Sequence, residues 1–364
     1  MRKTAFLAVA AAVGVGLYWF PPAVLQAVLH DYLCICLLAY VTLVLVVSFL
    51  LPGQEVERVD PSGKAVLITG CDSGFGWLLA TRLDALGFVV FAGCLAPDRE
   101  DALQLKKRAS PRLHVLELNV TDDWHVQRAL SYITEHLKEA ELWAVVNNAG
   151  IGFVGEIEWC SVDQFQKILD VNVLGVVRVT KAFLPLLRHS RGRVINVAST
   201  AGRLTLPMYS AYSMSKRAVV AFSDALRQEM HKFDMTVITI EPSLYRTHIA
   251  MADPYIDANK KSWSKTPTDI REDYGEEYFD AALTKIRASL EKARPQVDEV
   301  IHQMELAVCT RNPRHRYVPN GMTYLRTEIL RHLPTTWTDK VFSGMSPSIK
   351  PRLAVRQESV KASK

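Results

Sequence analysis

Short apolar runs alternate with longer amphipathic stretches from residue 64 to about residue 240. The runs are rich in valine, isoleucine and leucine, which is typical of strands buried on both faces. The stretches between them repeat apolar residues at helical spacing, for example over residues 77–86, 124–137 and 212–231. This alternation predicts an α/β fold with a parallel sheet covered on both faces. The predicted strands are residues 64–69, 88–92, 113–118, 142–146, 193–197 and 236–240.

Two further apolar runs, residues 4–20 and 32–51, precede the alternating region. A membrane-spanning helix needs about 20 mainly apolar residues, a length that the second run reaches and the first narrowly misses. We expect a membrane hairpin, with a single retained anchor or a cleaved signal peptide as alternatives. Bulky Trp19 and Phe20 followed by Pro21 make a poor cleavage site. Basic residues flank the pair of runs and none lies between them, so both ends should face the cytosol.

Changes in composition divide the chain into segments. We assign residues 1–51 to the membrane anchor and the polar, turn-rich residues 52–63 to a linker. Residues 64–345 are predicted to form one catalytic domain. Within it, residues 250–292 break the strand–helix alternation with a charged, aromatic-bearing segment, which we interpret as a substrate lid. Residues 346–364 are predicted to be a flexible tail.

Charge and cysteine usage exclude several classes of function. The formal net charge is +5 over 364 residues and no long basic block occurs, which argues against nucleic-acid binding. The six cysteines form no C-x-x-C pair and no Cys/His cluster. We therefore predict no metal site, and reduced thiols in a reducing compartment.

Three glycines follow the first predicted strand with the spacing G-x-x-x-G-x-G, directly before a predicted helix. Such a loop lets the backbone approach a pyrophosphate, which then rests on the helix N-terminus. We predict a dinucleotide-binding loop here, with a tight strand–helix turn as the alternative. The loop residues assigned to the cofactor are Gly70, Asp72, Ser73, Gly74, Phe75 and Gly76.

Tyr212 and Lys216 are four residues apart at the start of a predicted helix, so both lie on one face. A free tyrosine has a pKa near 10, too high for a general base at neutral pH, and a neighbouring ammonium favours the phenolate. Ser199 ends the preceding predicted strand and can donate a hydrogen bond to a substrate oxygen. The three residues together predict proton transfer to or from an alcohol.

In combination, these motifs resemble those of the short-chain dehydrogenase/reductase family over about residues 60–330. The resemblance implies a doubly wound Rossmann sheet and an oxidoreductase. Within the family the chain is similar to the membrane-associated branch of retinol, 11β- and 17β-hydroxysteroid and D-β-hydroxybutyrate dehydrogenases. The elements that carry the resemblance are TGCDSGFG, NNAG, Ser199 with Tyr212-x-x-x-Lys216, and Asn172 in the segment DVNV.

The resemblance also implies roles for the matching residues. Ser199 would polarise the substrate oxygen, and Tyr212 would take or give the proton. Lys216 would bind the nicotinamide ribose and tune Tyr212, and Asn172 would hold a relay water. The chain departs from the family in having Ser243 where a glycine usually follows the proline. Further residues assigned to cofactor binding are Asn119, Val120, Asn148, Ala149, Gly150, Tyr212, Lys216, Pro242 and Thr247.

Charge at the glycine loop favours NAD over NADP. A 2′-phosphate needs a nearby Arg or Lys, whereas an acidic side chain repels it. Positions 72, 73, 94 and 95 hold no basic residue, and Asp72 adds a negative charge. The acid that the family often carries at the end of the second strand is absent, and Gly93 stands there.

We expect an NAD-dependent dehydrogenase for a lipophilic secondary alcohol, steroid-like or retinoid-like. Oxidation of the hydroxy acid D-β-hydroxybutyrate is the alternative, and a non-catalytic cofactor-binding membrane scaffold is the minor one. Tyr209 and Tyr245 are candidates for the substrate pocket. The lipid bilayer is the expected partner, with a homo-oligomer as an open possibility. The expected location is the endoplasmic reticulum with a cytosolic catalytic domain, or else a mitochondrial membrane.

Overall fold

The computed structural model describes residues 32, 35, 36, 38–40, 42 and 57–362. The chain divides into two compact units, Met1–Val56 and Glu57–Lys364. In the first unit, the described residues between 32 and 42 are helical and have exposed side chains, and the rest of the predicted hairpin lies outside the described residues. No helix within the described part of the chain is long and apolar enough to cross a membrane.

The second unit is built on a seven-stranded sheet in which all neighbouring strands are parallel. The strand order β3-β2-β1-β4-β5-β6-β7 reverses direction between β1 and β4, as in a doubly wound Rossmann-like sheet. The parallel α/β fold predicted from the sequence is therefore confirmed. The strands are β1 (Lys64–Thr69), β2 (Val89–Cys94), β3 (Leu113–Glu117), β4 (Glu141–Asn147), β5 (Arg193–Val197), β6 (Thr236–Ile240) and β7 (Arg316–Tyr317).

Helices cover both faces of this sheet. The chain forms one turn of π-helix at Asp170–Leu174. The α-helices of the second unit are α1 (Gly74–Ala85), α2 (Glu100–Arg108), α3 (Asp123–His136), α4 (Val162–Leu169), α5 (Gly175–His189), α6 (Ser210–Met230), α7 (Ala252–Lys265), α8 (Thr268–Tyr274), α9 (Glu276–Glu291), α10 (Asp298–Cys309), α11 (Gly321–His332), α12 (Thr335–Ser343) and α13 (Arg352–Ala362).

The sheet separates two apolar layers, and alternate strand residues enter opposite layers. On β1, Val66 and Ile68 pack with α1, α2 and α10, whereas Ala65 and Leu67 pack with α3, α5 and α6. This period of two follows from the pleat of a strand. Both faces are apolar because both are covered, which is why the sequence shows continuous apolar runs rather than polar alternation.

The segment predicted as a lid folds into α7, α8 and α9. Its apolar side chains pack on the loop after β4 through Trp159, which makes edge contacts with Trp263 and Phe279. The C-terminal segment, for which a flexible tail was expected, contains the helix α13. That helix packs against α8.

A buried arginine links the sheet to the C-terminal end of α10. Arg193 on β5 is 2% exposed, and its Nη1 donates to the carbonyl oxygens of Ala307 (2.8 Å), Val308 (3.1 Å) and Thr310 (2.8 Å). The guanidinium lies 4.2 Å from the ring centroid of Trp143. Burial lowers the pKa of Arg193 to about 10, so the side chain stays charged at neutral pH. A cation suits these carbonyls because a helix C-terminus carries partial negative charge.

Replacing Arg193 by Met should lower the free energy of unfolding by about 3 kcal/mol, because the carbonyls of Ala307 and Thr310 lose this donor and that of Val308 keeps only Trp143 Nε1. The exposed Arg188 on α5 is a matched control, and Arg188→Met should cost less than about 0.5 kcal/mol. Denaturant unfolding followed by tryptophan fluorescence measures both values. Equal stability losses in the two variants would contradict the role assigned to Arg193.

Candidate active site

The polar residues singled out from the sequence gather at the carboxyl ends of β1, β4, β5 and β6. This edge contains the point between β1 and β4 at which the strand order reverses. The loops after those two strands must diverge to opposite faces of the sheet, which opens a crevice there. Ligands of open parallel sheets bind in that crevice.

The glycine loop after β1 has the backbone shape that the sequence predicted. Gly70 and Gly74 have φ values of +70° and +62°, a left-handed conformation that glycine adopts without strain. A Cβ on Gly76 would collide with the carbonyl oxygen of Gly70 and lie 2.7 Å from Asn148 Nδ2. Helix α1 begins at Gly74, and its first turn has no acidic residue and no side-chain cap from Ser73. Its backbone N–H groups are thus available to an anion such as a pyrophosphate.

The loop after β4 is bonded to the glycine loop. The Oγ1 of Thr69 accepts hydrogen bonds from the backbone N–H groups of Asn148 and Ala149, both at 3.0 Å. Asn148 Nδ2 donates to the carbonyl oxygens of Thr69 (2.9 Å) and Gly70 (3.0 Å). The Asn148 side chain therefore joins the two loops that border the crevice.

Asp72 holds the start of the loop after β2. Its carboxylate accepts hydrogen bonds from the N–H groups of Leu95 (2.9 Å) and Ala96 (2.8 Å). The negative charge of Asp72 thus lies at the carboxyl end of β2, where it would repel a 2′-phosphate. Gly93 stands where the family often has an acid because a Cβ there would be 2.7 Å from Leu118 Cδ2.

Polar groups of Asn119 and Val120 form hydrogen bonds with other groups of the protein. Asn119 Oδ1 accepts from the N–H (3.1 Å) and Oγ1 (2.8 Å) of Thr121, so this oxygen closes a local turn. The carbonyl oxygen of Val120 accepts from Arg178 Nη1 at 2.8 Å. Both residues follow β3 at the same edge of the sheet.

Ser199, Tyr212 and Lys216 meet at the carboxyl end of β5. Ser199 Oγ donates to the carbonyl oxygen of Pro242 at 3.1 Å, and its hydroxyl also interacts with Tyr212. Lys216 Nζ donates to the carbonyl oxygen of Val197 at 2.9 Å and lies 5.7 Å from the ring centroid of Tyr212. The three side chains predicted from spacing are thus brought together.

Burial disfavours the charged forms of both Tyr212 and Lys216. It raises the pKa of Tyr212 to about 12, although the hydrogen bond with Ser199 opposes this rise. It lowers the pKa of Lys216 to about 8, so the side chain is still mostly an ammonium at pH 7. The phenol therefore needs further positive charge nearby before it can act as a base near neutral pH.

Asn172 is fully buried in the π-helical turn, and its side-chain amide forms three hydrogen bonds with protein groups. Its Nδ2 donates to the carbonyl oxygen of Ile151 (2.9 Å) and to Ser215 Oγ (3.0 Å). Its Oδ1 accepts from the N–H of Ile151 at 2.8 Å. A Cβ on Gly150 would lie 3.3 Å from that oxygen and 3.5 Å from Lys216 Nζ. The Asn172 side chain therefore fixes the loop after β4 beside Lys216.

The segment after β6 runs from the catalytic side of the crevice to the glycine loop. Pro242 meets Ser199 at one end, and at the other a Cβ on Gly74 would be 3.5 Å from Thr247 Cβ. Between them, Ser243 Oγ is buried without a partner among the described residues. An unsatisfied hydroxyl in this position fits a crevice whose remaining hydrogen-bond partner is a ligand. The glycine cradle and this hydroxyl both suit a dinucleotide.

The lid adds aromatic side chains that sequence reasoning did not single out. Tyr255 on α7 interacts with Tyr212 and Tyr209, and a Cβ on Gly152 would collide with its hydroxyl. The sequence marked this segment as aromatic, but helical spacing alone does not tell which ring faces the crevice. Tyr209, a candidate for the substrate pocket, lies in this group. Tyr245 does not, because it is 2% exposed and donates to Glu299 Oε2 at 2.8 Å.

Comparison with known proteins places this geometry in context. The model of the short chain dehydrogenase family matches residues 64–255. The chain is 40% identical over 288 residues to the mitochondrial D-beta-hydroxybutyrate dehydrogenase of Rattus norvegicus, an alignment that covers 77% of this chain and 84% of that protein. It is 39% identical over 328 residues to estradiol 17-beta-dehydrogenase 2 of Mus musculus, covering 88% and 84%.

A solved structure shares the fold. The short chain dehydrogenase/reductase of Burkholderia phymatum, determined in complex with NAD, aligns with a TM-score of 0.61. The alignment covers 74% of this chain and 93% of that one at 20% identity. At this identity the similarity concerns the fold alone.

Replacing Gly76 by Ala should raise the dissociation constant for NAD at least about 100-fold, because the added Cβ forces the glycine loop away from Asn148. Gly344 is a matched control, since a Cβ there meets nothing within 4 Å. Gly344→Ala should leave cofactor affinity unchanged. Titration calorimetry measures both, and thermal unfolding reports whether each variant is folded. Unaltered NAD affinity in a folded Gly76→Ala protein would contradict the loop assignment.

Proposed function

Because the chain belongs to the short-chain dehydrogenase/reductase family and is therefore an oxidoreductase acting on CH–OH groups, we propose that it interconverts a lipophilic secondary alcohol and its ketone, with NAD as cofactor. The observation that carries the proposal is the meeting of Ser199, Tyr212 and Lys216 at the crevice bordered by the glycine loop. The same geometry is the basis for the residue roles that follow.

In the oxidation direction, Tyr212 takes the proton from the substrate hydroxyl while a hydride leaves the carbinol carbon. Ser199 turns its hydroxyl from the Pro242 carbonyl towards the substrate oxygen and holds that oxygen in place. NAD, when bound, accepts the hydride and brings a positive charge to the crevice. Lys216 binds the adjacent ribose and, with that charge, lowers the pKa of Tyr212 from its raised value.

We assign cofactor binding to the loops after β1, β4 and β6, which border the crevice. The pyrophosphate would lie on the N-terminus of α1, with Ser73, Gly74 and Phe75 supplying backbone N–H groups. Asn148 to Gly150 would border one side of the nicotinamide ribose, and Pro242 to Thr247 would cover the nicotinamide. The carboxylate of Asp72 at the end of β2 supports NAD rather than NADP, since it would repel a 2′-phosphate.

The surroundings of Tyr212 support an uncharged substrate. Ser199, Tyr209 and Tyr255 interact with the Tyr212 hydroxyl, and all three side chains are uncharged as phenol or alcohol. Tyr255 and the apolar lid extend this environment. A hydroxy acid would bring a carboxylate into these uncharged surroundings. Burying an unpaired ion in a protein costs roughly several kcal/mol.

Oxidation of D-β-hydroxybutyrate remains the second candidate, and one observation favours it. The chain is 40% identical to an enzyme named for that substrate over most of both lengths. The 39% identity to an estradiol dehydrogenase is nearly equal, so identity does not choose between the two substrates. A non-catalytic scaffold is disfavoured because all three reactive side chains are present and adjacent.

We also infer a membrane location for the enzyme. The apolar runs at residues 4–20 and 32–51 support an anchor at residues 1–51, and the flanking basic residues support a cytosolic catalytic domain. The endoplasmic reticulum is proposed, with a mitochondrial membrane as the alternative. We further propose that residues 64–345 form the catalytic domain and that residues 250–292 are its substrate lid. Self-association of the chain is also proposed.

A substrate screen tests the proposed function directly. The detergent-solubilised full chain should reduce NAD in the presence of a steroid or retinoid alcohol, with kcat/KM at least about 100-fold above that for 3-hydroxybutyrate. NADP should be at least about tenfold poorer than NAD as acceptor. Preference for 3-hydroxybutyrate would select the second candidate, and preference for NADP would overturn the argument from Asp72.

Replacing Tyr212 by Phe should lower kcat at least about 10³-fold, because the phenol is the proton acceptor, and should leave NAD affinity within about twofold. Lys216→Ala should lower both kcat and NAD affinity, since one ammonium serves both tasks. Steady-state kinetics and calorimetry separate the two effects. Turnover of Tyr212→Phe at the wild-type rate would exclude the mechanism.

Replacing Ser199 by Ala should move the rising limb of the pH–rate profile for oxidation to higher pH. The hydrogen bond with Ser199 lowers the pKa of Tyr212, so its loss raises that pKa, and the phenolate then forms only at higher pH. Profiles of kcat/KM between pH 6 and pH 10 would measure the shift. Ser199→Thr keeps a hydroxyl and serves as the control.

A further inference from the structure

The C-terminal segment accounts for the net charge of the chain. Residues 321–364 contain eight lysines and arginines against three acidic residues. This excess of five equals the formal net charge of the whole chain, +5, so residues 1–320 are balanced. A positive charge concentrated in one segment favours an anionic partner for that segment.

Two helices of this segment expose large apolar side chains at helical spacing. On α11, Met322, Leu325 and Ile329 are 72%, 39% and 55% exposed and lie on one face. On α12, Trp337 and Val341 are 62% and 49% exposed and are one turn apart. Apolar side chains grouped in this way on a surface mark an interaction site more often than isolated ones do.

Basic side chains accompany these apolar faces. Arg326 is one turn after Met322, and Lys340 is three residues after Trp337, so each shares a helix face with its apolar neighbour. Neither Arg326 nor Lys340 forms an ion pair with another described residue. Tryptophan and apolar residues beside lysine or arginine are typical of helices that lie in the interface of a bilayer.

The same segment is attached to the lid. Lys285 Nζ on α9 donates to the carbonyl oxygen of Gly344, just after α12, at 2.9 Å. Between α8 and α9, a Cβ on Gly275 would lie 3.1 Å from Arg352 Nε. A partner bound to α11 and α12 would therefore be connected to the elements that cover the substrate side of the crevice.

We propose that the exposed faces of α11 and α12 bind the surface of an anionic lipid bilayer. We call these faces the C-terminal docking surface; its main residues are Met322, Leu325, Arg326, Ile329, Trp337 and Lys340. The basic groups bind lipid phosphates, and the apolar groups enter the boundary between headgroups and acyl chains. Direct passage of a lipophilic alcohol from the bilayer to the lid rests on the proposed function, whereas the docking itself does not.

Quenching of tryptophan fluorescence by brominated lipids tests the docking. The full chain is placed in bilayer discs that contain anionic phosphatidylglycerol and either brominated or ordinary phosphatidylcholine. The emission of Trp337, obtained by subtracting the Trp337→Phe protein from the wild type, should be quenched at least about twofold by the brominated lipid. Trp124 on α3 is a matched control because it is 61% exposed, and its emission should be unchanged.

The charge component has its own test. Replacing phosphatidylglycerol by a neutral lipid, or using the Arg326→Gln/Lys340→Gln protein, should remove most of the Trp337 quenching, as should high salt. Equal quenching of Trp337 and Trp124, or none of either, would overturn the proposal. So would a dimer in detergent that Trp337→Glu dissociates, which would assign the surface to a second copy of the chain.

Turnover of a water-soluble alcohol distinguishes this proposal from the proposed function. Trp337→Phe and Arg326→Gln/Lys340→Gln should retain wild-type turnover, which shows that the variants are folded. Quenching of Trp337 in a chain that turns over no alcohol would support the docking surface and count against the proposed function alone.

Discussion

The close approach of two backbone segments at the reversal of the strand order governs the geometry of this molecule. A Cβ on Gly70 would be 2.8 Å from the Cα of Ala149, so the two loops touch without intervening side chains. Asn148 closes this contact by donating two hydrogen bonds to Thr69, from its backbone N–H to Oγ1 and from its side-chain Nδ2 to the carbonyl oxygen. Because the contact joins the ends of β1 and β4, it sets the width of the crevice and the direction in which α1 points.

Within that crevice, burial works against the charges that the chemistry needs. Burial raises the pKa of Tyr212 and lowers that of Lys216, so it favours the neutral phenol and weakens the ammonium. Hydrogen bonds keep Lys216 and the loop beside it in place although burial disfavours the charge of the ammonium. Lys216 is held by the carbonyl oxygen of Val197, and Asn172 holds the loop beside it. Base strength would therefore develop only when a cationic nicotinamide enters, which couples proton transfer to cofactor binding.

The segment predicted as a lid, α7 to α9, is hydrogen-bonded to the same loop after β4. Tyr278 and Tyr274 donate hydrogen bonds to Glu156 and Glu158 on the loop after β4. Stacking of Trp263 on Phe279, with ring centroids 4.5 Å apart, stabilises the lid itself. The loop after β4 thus contacts the glycine loop at one end and the segment α7–α9 at the other.

The sequence by itself determined the local features. Apolar runs predicted β1, β5 and β6 with their observed bounds, because a strand buried on both faces must be apolar throughout. The glycine spacing predicted the shape of the loop after β1, and the four-residue interval predicted that Tyr212 and Lys216 share a helix face, because both features lie within short stretches of chain. A two-residue strand such as β7 has too few positions for any pattern, and only pairing with β6 defines it.

Tertiary structure decided everything that joins distant segments. The sequence showed that Asp72 adds a negative charge to the glycine loop. Only the fold brings its carboxylate within hydrogen-bond distance of the backbone N–H groups of Leu95 and Ala96. Likewise, the hydrogen bonds of Asn172, the position of Tyr255 beside Tyr212 and the burial of Tyr245 depend on contacts between residues far apart in the sequence. Hydrophobic periodicity reports which face of an element is buried and not which neighbour buries it. The physical reason is that a side chain's partner is set by the packing of whole elements, which no single segment encodes.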